Sequence, residues 1–434
     1  MKGFERKAFV LMVLFISCIS FKAFCGGNKQ AEKGGPITII YGAHVANLAE
    51  QESAVYKVME AFMKANPDIK IEISGADTDE HVKRMKMAAQ SGTLPDIFWL
   101  LPAPSLEMWN AGLLLDINTY FAESSEVNRK IGDAARSNSP VKGVVYGLPY
   151  RSNVTGLWYN KALFAQYGVK EPVNGTTYAE LLQMIDTFKA NGLVTIAQGA
   201  KDPFSVWNFL TGWVRYGYFD KIDAIFKGTE SFANADFIRY FEKIDEMRKH
   251  GAFPPNIATM DYFQAGNLFV TGKSAFMDSG SWDTEKFNEA LGANAGFWWG
   301  PTFADGVGEQ RISMNAPSYD IKVNKKVADS PAKKAAVFKF LDFFYSLEAD
   351  QIRINNGSIP IANAGDTSKA SPAFQALLGA IADRTWKSAP DQADLVVSEP
   401  VQVAMYDAIY GVMCGTYTPA QALKNIEDAQ ARQR

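Results

Sequence analysis

The sequence predicts an α/β protein whose doubly wound sheets are divided between two lobes. Strand-like and helix-like periodicities alternate from Pro36 onward, which is the pattern of parallel sheets covered by helices. The chain has 434 residues, more than one ordinary core accommodates. Its composition, 47% apolar and 21% charged, is that of a packed globular protein.

The elements follow in order. Ile37–Tyr41 is a short β-rich run. Glu52 to Asn66 is helical, with Val55, Val58, Met59 and Phe62 on one face, and Asn66-Pro67-Asp68 stops it. Ile69–Ile73 alternates as a second strand, and Asp79 to Ser91 reads as a second helix. Leu94–Leu100 is a turn and a third strand. This β-α-β-α-β series implies a parallel sheet whose ligand edge lies beyond the carboxyl ends of its strands. The loops Tyr41–Asn47, Gly75–Asp79 and Trp99–Ser105 fall at that edge. Gly156–Tyr159 opens a second series, with helical patterns at Tyr178–Lys189, Phe237–Lys249 and Tyr262–Gly272 and a buried strand at Ser274–Met277. Pro331–Tyr345 is an amphipathic helix, and the chain from Ser371 on is mostly helical.

The first residues have a different character. Lys2, Arg6 and Lys7 precede an apolar stretch, Ala8 to Phe21, shorter than a comfortable membrane span. Residues 1–24 are expected to be a signal segment and 25–35 a flexible tether, so that the protein is exported. Phe15-Ile16-Ser17-Cys18 resembles the lipobox of bacterial lipoproteins, which makes Cys18 the expected lipid anchor. Cys25 is the alternative, although Lys22 and Phe24 suit the motif poorly. The third cysteine, Cys414, reads as a small packed residue, and no internal disulfide is available.

Several functions fail on inspection. A net charge of −3 gives no polyanion-binding signal, which disfavours nucleic acid. Gly266…Gly272-Lys273-Ser274 misses the phosphate-binding loop by one position, so any ATPase must be a separate subunit. His44, His81 and His250 lack paired metal-ligand spacing; neither a metal nor a cofactor is expected. Gly-x-Ser-x-Gly is absent. Acidic pairs such as Asp77/Asp79 fall in polar loops, which leaves a secreted glycan-active enzyme or an adhesin as the alternative class.

Motif order adds a resemblance. Ser91-Gly-Thr-Leu-Pro-Asp96-Ile-Phe-Trp99, Ala111-Gly-Leu-Leu-Leu-Asp-Ile117, and Val145-Tyr-Gly-Leu-Pro149 with Leu157-Trp-Tyr-Asn-Lys-Ala-Leu-Phe164 occur in that sequence. They are followed by Phe263-Gln-Ala-Gly266, Gly272–Met277 and Gly280-Ser-Trp282, then by Lys339–Tyr345 and Gly357-Ser-Ile-Pro360. Together they resemble family 1 extracellular solute-binding proteins of bacterial ABC importers, the group that includes maltose-binding proteins. The resemblance spans about residues 36 to 361.

It implies a periplasmic-binding-protein-like, type II Venus-flytrap fold with two discontinuous lobes. Lobe one is then 36–151 plus 302–354, and lobe two 152–301 plus 355–434. The first crossing falls near Tyr150–Ser152, the return near Phe297–Pro301, and a last exit around Asn355. The implied function is capture of a sugar or oligosaccharide in the interlobe cleft by a non-catalytic monomer and delivery to membrane permease subunits. Glycerol-phosphate-type esters are the alternative ligand.

Sugars present flat C–H faces rimmed by hydroxyls, so a site needs aromatic plates and polar edges. Of nine tryptophans, Trp158 and Trp109 read as core. Trp99, Trp207, Trp213, Trp282, Trp298 and Trp299 are candidate plates; only one of the adjacent pair Trp298 and Trp299 should face the cleft, because side chains alternate along a strand. In maltose-binding relatives a tryptophan at the Trp99 position lines the cleft, but the polar residues that follow it there are replaced here by Leu100-Leu101-Pro102. Tyr41, His44, Asp77, Tyr150, Arg151, Asn153 and Ser281 are candidates for the polar rim.

Overall fold

The computed structural model describes residues 35–139, 141–201 and 205–433. The signal segment, almost all of the tether, and both Cys18 and Cys25 lie outside them.

Strands β1 (Ile37–Ala43), β2 (Ile69–Gly75) and β3 (Ile97–Trp99) form the first sheet with β9 (Ile321–Val323), in the order β2–β1–β3–β9. β1 is parallel to both β2 and β3, with Ile37 opposite Ile69 and Tyr41 opposite Ile97. The connecting helices are Ser53–Ala65 and Thr78–Ser91, as the periodicity requires. Val55, Val58, Met59 and Phe62 are buried against the sheet, and Gly92, at φ +69°, ends the second helix in a conformation that other residues avoid. Helix Pro331–Phe344 returns to complete this first core, with Phe340 edge-on to Phe62 at 5.2 Å.

The second sheet holds β4 (Ser152–Asn160), β5 (Val194–Ala197), β6 (Ser274–Gly280), β8 (Ile312–Pro317) and β10 (Lys387–Ser388), in the order β10–β8–β4–β6–β5, while β7 (Ala295–Trp298) also pairs with β4. It is mixed: β4 runs antiparallel to β6, β7 and β8, whereas β5 and β6 are parallel. The reason is that β4 enters this sheet from the first one and β8 leaves it again, so the two run in opposite directions.

The crossings follow from that topology. Ser152 opposes Pro317, Leu148 bridges to Ile321, and the Ser318 hydroxyl oxygen accepts the N–H of Tyr150 at 2.9 Å. The first passage therefore falls at Tyr150–Ser152. The return lies at Ser318–Asp320 and not at Phe297–Pro301. Residues 295–298 stay in the second sheet because both faces of β7 are covered there: Trp298 joins one core cluster, while Phe297 and Trp299 join another with Phe374 and Leu377 of helix Pro372–Ala382. Helix Leu347–Asn355 ends the first-sheet portion. Its buried Asp350 carboxylate accepts the N–H groups of Ile361, Ala362 and Asn363 at 2.9, 2.9 and 2.7 Å, which fixes the exit turn.

Candidate functional site

A cavity of about 1140 Å³ is bordered by elements of both sheets and by the crossing segment. Its first wall is built at the carboxyl edge of the first sheet. His44 directly follows β1, and Trp99 ends β3. The two rings stack with centroids 4.1 Å apart and planes 18° from parallel. His81, on helix Thr78–Ser91, places its Nε2 2.7 Å from the carbonyl of Trp99. Burial lowers the His81 pKa to about 4, so the ring is neutral and donates that bond, holding the end of β3 in place.

Glu52, at the start of helix Ser53–Ala65, is the charged centre. Its carboxylate lies 3.2 Å from His44 Nε2, accepts from Arg151 Nη1 at 2.8 Å, and accepts the Tyr150 hydroxyl. Burial alone would raise the Glu52 pKa; the charge of Arg151, with the hydrogen bonds from His44 and Tyr150, outweighs it and brings it to about 2. Arg151 also lies over two aromatic faces, 5.0 Å from the Trp282 centroid and 5.3 Å from that of Tyr150.

The second wall begins where β6 ends. Ser281–Asp283 is a short 3₁₀ turn that presents Trp282. Gly280 is required just before it, because a Cβ there would lie 2.3 Å from Trp282 Cζ3. The Trp282 indole N–H donates to the Tyr262 hydroxyl at 2.9 Å, and Tyr262 in turn contacts Ser279 Oγ at 2.6 Å and the Asp283 carboxylate. Trp207 meets Trp282 edge to face, centroids 4.7 Å apart. It opens helix Trp207–Val214, whose start is held by the buried Asp278 carboxylate accepting the Asn208 N–H at 3.0 Å. Burial pushes the pKa of Asp278 well up, and the Asn208 bond offsets part of that.

His44, Trp99, Tyr150, Arg151, Asn153, Trp207, Ser281 and Trp282 are thus brought together around one cavity. The other candidates are not. Tyr41 is buried inside the first core, since β1 is covered on that face. Asp77 is exposed at the start of helix Thr78–Ser91, outside the cavity lining. Trp213 shares a helix with Trp207, but 3.6 residues per turn set the two on different sides, and it packs among Tyr218, Phe237 and Phe241 at 5.2, 5.2 and 5.0 Å. Trp298 and Trp299 are both 1% exposed: neither faces the cleft, because each face of β7 is roofed by core.

The structure also adds lining residues that sequence reading missed. Glu52 and Tyr262 come from helix starts with no motif of their own, and Phe263, which opens the Phe263-Gln-Ala-Gly266 motif, was not singled out as a site residue. Gln392, Asp394, Gln402 and Tyr406 come from the C-terminal helical region. The polar spacing within helix Glu399–Met413 was the available signal for the last two. Across the cavity, Lys86 Nζ of helix Thr78–Ser91 meets Glu399 at 2.8 Å. No helix among the described residues is long and apolar enough to cross a membrane, and no group of metal-ligating side chains occurs among them.

Two covered α/β sheets around an aromatic-walled cavity define a ligand receptor of the two-lobed, hinged class. The chain belongs to the bacterial extracellular solute-binding protein family, whose model matches residues 46–351. It is 22% identical over 355 residues to the multiple sugar-binding protein of Streptococcus mutans, covering 74% of this chain and 77% of that one. It is 23% identical over 353 residues to the galactooligosaccharide-binding protein of Bacillus subtilis, covering 77% and 76%. Among solved structures it resembles a chitin oligosaccharide binding protein, with a TM-score of 0.79 and 20% identity over 91% of this chain and 98% of that one. An ABC substrate-binding protein from Listeria monocytogenes in complex with cycloalternan matches with a TM-score of 0.72 and 21% identity over 92% and 99%.

Proposed function

We propose that this protein captures a sugar or oligosaccharide in the cavity between its lobes and hands it to the permease of an ABC importer, without catalysing a reaction. One observation carries the reading: Trp99, Trp207 and Trp282 border a single cavity together with Arg151, Asn153 and Ser281, which combines flat apolar plates with hydroxyl-binding edges. The names of the relatives, which bind multiple sugars and galactooligosaccharides, point the same way. A phosphate ester is disfavoured because Arg151 is already neutralised by Glu52.

In this reading lobe one comprises 36–151 and 318–354, lobe two 152–317 and 355–434, and the ligand stabilises the closed arrangement because only that arrangement touches it from both sides. The anchor is a lipidated Cys18, or Cys25; palmitate labelling lost on one Cys→Ser change would establish which, and no labelling would remove the anchor. The function is tested by thermal shift over mono- and oligosaccharides, where the cognate sugar raises the melting temperature. Failure of every sugar to do so, or cleavage of a labelled oligosaccharide by the purified protein, defeats the reading.

A further inference from the structure

The second wall of the cavity is made of three rings from three places. Trp207 opens helix Trp207–Val214, Tyr262 opens helix Tyr262–Val270, and Trp282 follows the end of β6. They meet at the tip of that strand, where Trp207 lies edge to face with Trp282 at 4.7 Å and with Tyr262 at 5.7 Å between centroids. β6 runs between the two helices. Phe209, Leu210 and Trp213 of the first belong to the same core cluster as Leu157 and Phe276, whereas Tyr262, Ala265 and Phe269 of the second pack with Met277. Side chains alternate along a strand, so the successive residues Asp278 and Ser279 face opposite helices. Ser279 Oγ contacts the Tyr262 hydroxyl at 2.6 Å, and both carboxylate oxygens of Asp278 lie 3.0 Å from the N–H of Asn208.

The contact with Asn208 supplies what its helix lacks. The first N–H groups of a helix have no partner within it, and a Ser, Thr, Asp or Asn at the preceding position ordinarily accepts one. Here that position is Val206, whose side chain has no acceptor. Asp278 replaces it from the neighbouring strand. The replacement is costly, because the carboxyl is 1% exposed and has only the Asn208 bond to offset its burial. A position that needed only volume would hold an apolar side chain without that cost. What the carboxyl secures is the first turn of the helix, and the first residue of that turn is Trp207.

We infer that Asp278, which does not border the cavity, is a positioning residue of the binding site: it caps the helix that carries Trp207 and so sets that indole against Trp282. The inference rests on the sugar-binding reading above and adds to it a residue that the ligand does not touch.

The test compares Asp278→Asn, which keeps an acceptor of nearly the same shape, with Asp278→Ala, which removes it. Burial favours the neutral form of Asp278, so the amide is a close substitute. Calorimetric titration of the full chain uses whichever of glucose, galactose, maltotriose and raffinose raises the wild-type melting temperature most. Asp278→Ala should bind it about fivefold to tenfold more weakly, and Asp278→Asn within about twofold of wild type. The ligand-free protein gives a second readout. The circular-dichroism signal of the indole pair, defined as the part that Trp282→Phe removes, should be lost in Asp278→Ala and kept in Asp278→Asn. A purely structural role would lower the melting temperature and leave both signal and affinity in place. In wild type, the Asn208 amide should exchange with solvent as slowly as the amides of β6, a measurement that stands even if Asp278→Ala does not fold. The inference is overturned if Asp278→Ala keeps wild-type affinity and indole signal, if Asp278→Asn falls as far as Asp278→Ala, or if the Asn208 amide exchanges freely. If none of the four sugars binds wild type, the sugar-binding reading is what fails, and the indole signal and amide exchange still decide whether Asp278 places Trp207.

Discussion

The guanidinium of Arg151 donates to the carboxylate of Glu52 across 2.8 Å. Arg151 stands on the crossing between the sheets, and Glu52 starts a helix of the first core. Because the same guanidinium lies over Trp282, one cation links the first lobe, the hinge and the aromatic wall of the second. Its removal should therefore disturb stability and binding together.

Glu52→Gln leaves Arg151 buried beside a neutral group. The Glu52 pKa is depressed in the folded protein from 4.5 to about 2, so its contribution is present in full above pH 4.5 and is lost as pH falls through about 2. The shift corresponds to about 3 kcal/mol. Urea denaturation of wild type and variant should show a gap of that order at pH 7 that narrows at pH 3. A gap independent of pH would count against the assignment.

Trp213 and Trp282 should separate core from site. Trp213→Ala empties a fully buried volume and should cost about 3–5 kcal/mol of stability. Trp282→Ala removes a half-buried plate, should cost clearly less, and should abolish sugar binding in a protein that still melts cooperatively. Unchanged affinity in the Trp282 variant removes that residue from the site.

Lys86 and Glu399 line the cavity from elements packed on different cores, so their 2.8 Å contact bridges the cleft. Both are more than a third exposed, and such a pair contributes roughly 0.2–1 kcal/mol, about 1.5- to 5-fold in the balance between closed and open forms. Lys86→Ala should speed ligand release by that factor in stopped-flow tryptophan fluorescence. The difference should fade in high salt. A salt-independent effect would mean that the bridge is not its source.

Lys322 is buried in β9, its ammonium 4.3 Å from the Tyr319 ring centroid. Burial lowers its pKa from 10.5 to about 7, against the opposing pull of Asp320. Between those values the unfolded chain binds the proton and the folded one does not, so wild-type stability gains as pH rises. Lys322→Met lacks this dependence. The stability of wild type relative to the variant should increase between pH 7 and pH 10 in denaturant titrations; a constant difference would refute the shift.

The three parallel strands of the first sheet were legible because their signals are local, whereas β9, which pairs antiparallel with β3, was not. Alternation in Ile69–Ile73, the helical stripe Val55–Phe62 and the stop at Asn66-Pro67 each depend on neighbours a few residues away, and the strands, helices and loop edge follow from them. Trp282 was singled out through the Gly-Ser-Trp motif of the resemblance, and the structure sets it on the cavity wall behind Gly280. The second sheet's mixed directions were not legible, because antiparallel pairing of β4 with β8 joins residues far apart in the chain.

By itself, then, the sequence determined the α/β class, the order of the first three strands and their two connecting helices, and the stock of aromatic residues from which a sugar site is made. Only the tertiary structure decided which indoles face the cavity, where the chain returns to the first sheet, and that Glu52 anchors its polar contacts. The physical reason is that periodicity reports which face of an element is buried, whereas partnership across a cleft depends on how separate elements pack, and that information is spread over the whole chain.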